Sequence, residues 1–218
     1  VELKEIQSQV VGAQLGQDAI QTSLLAGAIG FALVVIFMLI FYRLPGVAAS
    51  IALVFYLGLM LVALNGLNIT LTLPGVAGII LNIGMAVDAN VIIFTRIKEE
   101  LAKGKSVQTS IKLGFEKALS AIIDGNVTTL IAAFVLYIKG SGTIRGFATT
   151  LALGIILSMF TALYVTKYIL KAMYSLGVDD VKYFGVEKPR RQIKFVQNRV
   201  KFFVISGVLI LACVVCLI

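Results

Sequence analysis

The sequence predicts an all-α fold, a polytopic bundle of membrane-spanning helices. Three observations carry that reading. The 218 residues are 59% hydrophobic with a mean hydropathy of +1.00, and only 14% are charged, more apolar surface than a soluble domain of this size needs. Six apolar stretches reach the roughly 17–25 residues that cross a bilayer. Basic residues fall alternately on the two sides of those stretches, as the positive-inside rule expects.

The expected spans are Ile20–Tyr42, Val47–Leu64, Leu73–Thr95, Ala118–Ile138, Phe147–Tyr168 and Phe202–Ile218. Arg43 follows the first, and residues 65–72 carry no charge. The segment 96–117 holds six basic residues, including Arg96, Lys103, Lys105 and Lys117, and nine more run from Lys167 to Lys201. The other side has only Lys4, Lys139 and Arg145. The richer face is expected to be cytoplasmic, with the stub 1–19 outside and 96–117 and 173–199 inside.

Local signals punctuate the spans. Pro45-Gly46 reads as a tight turn after the first span. Thr72 suits the N-cap of a helix with Pro74 in its first turn. Gly104 interrupts an amphipathic segment that restarts with Ser106 as a cap. Residues 139–143, Lys-Gly-Ser-Gly-Thr, read as a flexible outer loop. Residues 173–199 read as a basic linker, for which an anionic-lipid patch at 188–201 competes with simple topology. Val1 and the absence of a signal pattern suggest a piece of a longer chain. No internal repeat is visible.

Composition also narrows the chemistry. There is no His, which removes imidazole proton shuttles, the commonest metal ligand and every His-based triad. Cys213 and Cys216 form a C-x-x-C inside an apolar run with no second pair, so buried small hydrophobes explain them better than a redox or metal site. No nucleotide-binding loop, metal cluster or nucleophile–base pair is present. The expectation is a protein that is not an enzyme, takes no cofactor or metal and binds no nucleic acid.

Asp88 stands out. It is the only charge in Leu73–Thr95, and a carboxylate placed in a spanning helix costs roughly 2.5–3.5 kcal/mol on insertion scales. Without His, carboxylates must carry any protons. Desolvation disfavours the charged form of such a group, and alternating access to water would load and unload it. Helical geometry puts Leu81, Gly84, Met85, Val91, Ile92 and Thr95 on the Asp88 face, Asn90 about 200° away and Asn82 on a third side. Polar residues all round place this helix centrally, against protein on most sides. The fourth span carries Asp124, Asn126, Thr128 and Thr129. Asp124 and Asp88 each lie roughly 10 Å from the inner ends of their helices, which would put them in one polar layer. A structural carboxylate remains the alternative for Asp88, and a helix-start carboxylate for Asp124. Thr150, Gly154, Ser158 and Thr161 form a stripe read as packing contacts.

The run from Leu71 to Leu101, with Gly84-Met-Ala-Val-Asp-Ala-Asn90 at its centre, closely resembles the signature of the SecD family of bacterial protein-export subunits. Leu15-Gly-Gln-Asp-Ala19, Gly114-Phe115, the Asp124–Leu130 run and Gly146-Phe-Ala148 through Phe160-Thr-Ala162 match it in order. The likeness covers about residues 15–172. Residues 188–218 resemble the linker and first helix that open SecF, as in a fused SecDF chain. Two departures stand out: Gly125 replaces the usual Ala of Asp-Ala-Asn, and the 140–146 loop lacks the commoner Gly-Thr-Gly-Pro.

The resemblance implies a resistance-nodulation-division (RND) type half-bundle of five helices (20–172), a cytoplasmic linker (173–199) and the first helix of a second half (200–218). It implies a bacterial plasma-membrane component that uses the proton gradient to assist late preprotein translocation. The implied partners are the SecY-SecE-SecG channel and a SecF-like half. Asp88 is implied as the proton-carrying aspartate, with Asn90, Thr95, Asp124 and Asn126 in support. Two other readings share this fold: a proton-driven exporter of small molecules or lipids, and a scaffold that transports nothing.

Overall fold

The computed structural model describes residues 13–177, 181–185, 203–204 and 206–207. Five rods account for the larger of two compact units, Val1–Val186. They are α1 (Ala13–Tyr42), α2 (Leu44–Gly66), α3 (Leu73–Ala102), α4 (Val107–Lys139) and a fifth rod made of α5 (Thr143–Phe160), a π-helical turn (Thr161–Val165) and α6 (Thr166–Ser175). Each rod is long and apolar enough to cross a membrane. The multi-pass all-helical architecture expected from the sequence is therefore the observed one, with no strand among the described residues.

The first five expected spans are present, and the helices overrun them. The stretch 13–19, part of the expected external stub, is helical and continuous with the span in α1, with no proline between them. The 96–117 segment is divided between α3 and α4, joined by a short turn through Gly104 at φ 82°. Ser106 caps α4, its Oγ accepting from the Thr109 N–H at 3.4 Å. Thr72 caps α3, its Oγ1 accepting from the Gly75 N–H at 3.1 Å.

The first turn differs from expectation. Arg43, at φ 51°, makes the reversal, while Pro45 and Gly46 lie inside the first turn of α2. Proline's fixed φ suits a helix start, and Gly46 presses on the Met38 carbonyl where a Cβ would not fit.

The stretch expected as a linker begins as structure. α6 continues to Ser175, and Phe184, in a short 3₁₀ turn (Val181–Phe184), is buried in the main core beside α2. The rest of the linker, the greater part of the expected sixth span, Cys213 and Cys216 lie outside the described residues. Phe203, Val204, Ser206 and Gly207 are helical and belong to the second unit, Glu187–Ile218.

α3 is the axis of the larger unit, packing on α1, α2, α4 and α5. It lies alongside α5 through small residues. Gly78 faces Thr150 and Phe147, and a Cβ there would stand 2.7 Å from Thr150 Oγ1. Such small-residue contacts let helix backbones approach closely where lipid offers no hydrophobic drive. The expected packing stripe is buried at Thr150, Gly154, Ser158 and Thr161.

Candidate functional site: the open face of α3

The α3 helix is not surrounded on every side. Asn82, Asn90, Ala86 and Val87 are buried, whereas Leu81, Gly84, Asp88 and Thr95 are exposed on this unit's own surface. The exposed residues share one face because steps of three, four and seven residues return to the same side of a helix. A Cβ on Gly84, one turn before Asp88, would meet nothing within 4 Å. Among the described residues Asp88 takes part in no hydrogen bond or ion pair. A carboxylate at mid-span thus faces whatever borders this bundle, beside a position with room for close approach.

Asp124 is carried by α4, which packs on α3. The two helices cross where Gly114 touches Ile97. Asp88 lies nine residues from Ile97 and Asp124 ten from Gly114, about 14 and 15 Å at 1.5 Å per residue. Similar rises from the crossing point are what the common layer expected from the sequence requires. Asp124 is exposed, and its Oδ2 accepts from Ser120 Oγ at 3.3 Å. A Cβ on its neighbour Gly125 would also meet open space.

The supporting residues divide. Thr95 shares the Asp88 face, with its Oγ1 donating to the Val91 carbonyl at 2.8 Å. Asn126 is half-buried and donates to the Ile122 carbonyl at 2.8 Å. Asn90 points away into the core, 3% exposed; its Nδ2 reaches the Ala86 carbonyl at 3.5 Å and its Oδ1 has no partner.

Sequence reasoning assigned no partner to two polar residues of α3. Asn82, 0% exposed, donates from Nδ2 to the Thr150 carbonyl at 2.9 Å and fills a notch left by Gly154. Its Oδ1 is buried without a partner, as is the Tyr56 hydroxyl. The Asn82 signal was legible as a buried-type polar residue in an apolar span, but its partner lies 68 residues away. The other is Glu100, near the end of α3. Its side chain is covered, with Lys103 and Lys117 on Oε1 at 2.8 and 2.7 Å and Lys105 on Oε2 at 2.6 Å. Hydrogen bonds from Lys103, Lys105 and Lys117 hold this carboxyl well below the usual carboxylate range. The three amines and their stems cover it at the periphery of the bundle, not in its core.

Over residues 1–176 the sequence matches the family described as "Protein export membrane protein SecD/SecF, C-terminal". The chain belongs to that family. It is 56% identical over 173 residues to a protein translocase subunit SecD from Acidaminococcus fermentans, covering 79% of this chain and 42% of that one. It is 52% identical over 178 residues to the SecD subunit from Dictyoglomus turgidum, covering 82% and 45%. The fold matches a crystal structure of SecDF, a translocon-associated membrane protein from Thermus thermophilus, with a TM-score of 0.80 and 35% identity, over 94% of this chain and 28% of that one. A super-membrane-facing form of SecDF matches with a TM-score of 0.74. The chain therefore spans less than half the length of these SecD relatives.

Proposed function

We propose that this chain is the membrane part of a SecD-type subunit that uses the proton gradient to drive late preprotein translocation. One observation carries the reading. Asp88, the only charge of its apolar span, stands on the one face of the axial helix that its own bundle leaves open. A structural carboxylate would be expected to end in a protein donor, as Glu100 does. An open, unpaired one suits a group that exchanges a proton with another element or with water. Moving one unit charge through 100 mV is worth about 2.3 kcal/mol, enough to bias a conformational equilibrium.

In this reading Asp88 binds and releases the proton, and Asp124, on the same level, and Thr95, on the same face, border its path. Asn90 and Asn126 tune the helices that hold it. The missing side of the path belongs to a SecF-like half, and the working assembly includes the SecY-SecE-SecG channel and the moving preprotein. The protein is a transport component of the bacterial plasma membrane and not an enzyme. The basic end, with residues 96–117 and 173–199, is cytoplasmic. The SecD and SecDF names of the relatives support the protein-export reading over a small-molecule or lipid exporter on the same fold.

The test is Asp88→Asn in the full-length protein. Export that depends on the proton gradient should fall more than tenfold, with membrane insertion and assembly unchanged. Export at the wild-type rate, with no proton conductance in vesicles, would favour the scaffold reading.

A further inference from the structure

We infer that the Glu100 clasp at the basic end of α3 is a binding site for the phosphate of an anionic phospholipid headgroup. The clasp is built from three separate places in the chain: the end of α3, the turn after it and the first part of α4. One carboxylate gathers three ammonium groups, so the cluster carries two uncompensated positive charges. Each ammonium has three N–H donors, and only one per lysine is directed at Glu100. The lysine side chains remain 57%, 40% and 48% exposed for Lys103, Lys105 and Lys117, so the other donors are accessible.

Depth selects the ligand. Glu100 lies five residues beyond Thr95, the end of the apolar span, or about 7.5 Å along the helix. Each polar layer of a bilayer is about 5–8 Å thick. The amines therefore converge within the headgroup layer. A phosphodiester brings one negative charge and two free oxygens that accept N–H bonds. Glu100 contributes preorganisation, since it holds together three amines that would repel one another and wander. A zwitterionic headgroup brings its own cation and gains less from a cluster with excess positive charge.

The test uses the full-length protein in nanodiscs, with phosphatidylglycerol against phosphatidylcholine and retained lipid counted by native mass spectrometry. Wild type should retain phosphatidylglycerol preferentially. Each lysine removed should weaken that retention about fivefold, and Lys103→Gln with Lys105→Gln about 25-fold. Glu100→Gln keeps all three amines and loses only their preorganisation, so it should retain phosphatidylglycerol clearly better than Lys103→Gln/Lys105→Gln. Equal retention by wild type and the double lysine variant overturns the site. So does loss in Glu100→Gln as deep as in the lysine variant, because the clasp would then act only on the fold. Inorganic phosphate binding the lipid-free protein as tightly as phosphatidylglycerol overturns the lipid assignment.

Discussion

Asn82 and Asp88 stand six residues apart on one helix and meet opposite surroundings. Asn82 is sealed against α5, its amide bonded to Thr150 and its bulk seated over Gly154. Asp88 is open, with empty space over Gly84 beside it. The amide, which costs less to bury, is spent on holding two helices together. The carboxylate, which costs more, is left outside the fold's own contacts. The contrast teaches that polar groups inside an apolar span do two kinds of work, and that the neighbouring helix decides which.

The same substitution at two glycines sharpens this contrast most. Gly154→Ala would drive a Cβ into Asn82. With Asn82 fully covered, the helices must separate, and the loss should be about 1–3 kcal/mol in a detergent melting experiment. Asn82→Ala should cost less, about 0.5–1.5 kcal/mol, since it removes one interhelical hydrogen bond together with an unpaired acceptor. The double variant should lose less than the sum, because removing Asn82 empties the notch that the new methyl enters. Strict additivity would mean that the contact does not hold α5 in place. At the small end, Gly84→Ala should leave the fold unchanged or stabilise it by about 0.5–1 kcal/mol, since alanine suits a helix interior and meets nothing here. A large loss at Gly84 would show that the open face is closed in the working protein by tight packing on that position.

Asp88 and Glu100 make the same comparison between two carboxylates of α3. Glu100 sits in a charged stretch and is the covered one, while Asp88 sits in an apolar stretch and is the exposed one. The Glu100 carboxyl is held below its ordinary range, so its contribution to the hairpin is complete above that range and fades only as pH falls through its lowered value. Acidification to about pH 4, where an ordinary glutamate half-titrates, should therefore leave the α3–α4 turn intact. Hydrogen exchange in residues 96–117 would measure this, and early opening of the turn at that pH would contradict it.

Much of this architecture is legible in single residues. Leu73–Thr95 is apolar by composition, Thr72 and Ser106 mark helix starts through bonds to residues three positions away, and Pro74 does so through its fixed φ. Asp88 is conspicuous because its cost depends only on the span around it. The Thr150, Gly154, Ser158 and Thr161 stripe is readable from helical spacing. The break at Gly104 and the restart at Ser106 were readable too, whereas the extent of α1 before Ile20 was not, since polar helix ends carry no hydropathy signal.

The sequence by itself determined the helices, their caps, the basic end and the presence of one expensive carboxylate, because each depends on composition or on neighbours within a turn or two. Only the tertiary structure decided that α3 closes on α5 through Asn82 and Gly154, that Asn90 turns inward while Asp88 turns out, and that Glu100 is covered by three lysines. Those outcomes depend on which helix comes to lie against which face, and contacts such as Glu100–Lys117, 17 positions apart, and Asn82–Thr150, 68 apart, leave no mark in local periodicity.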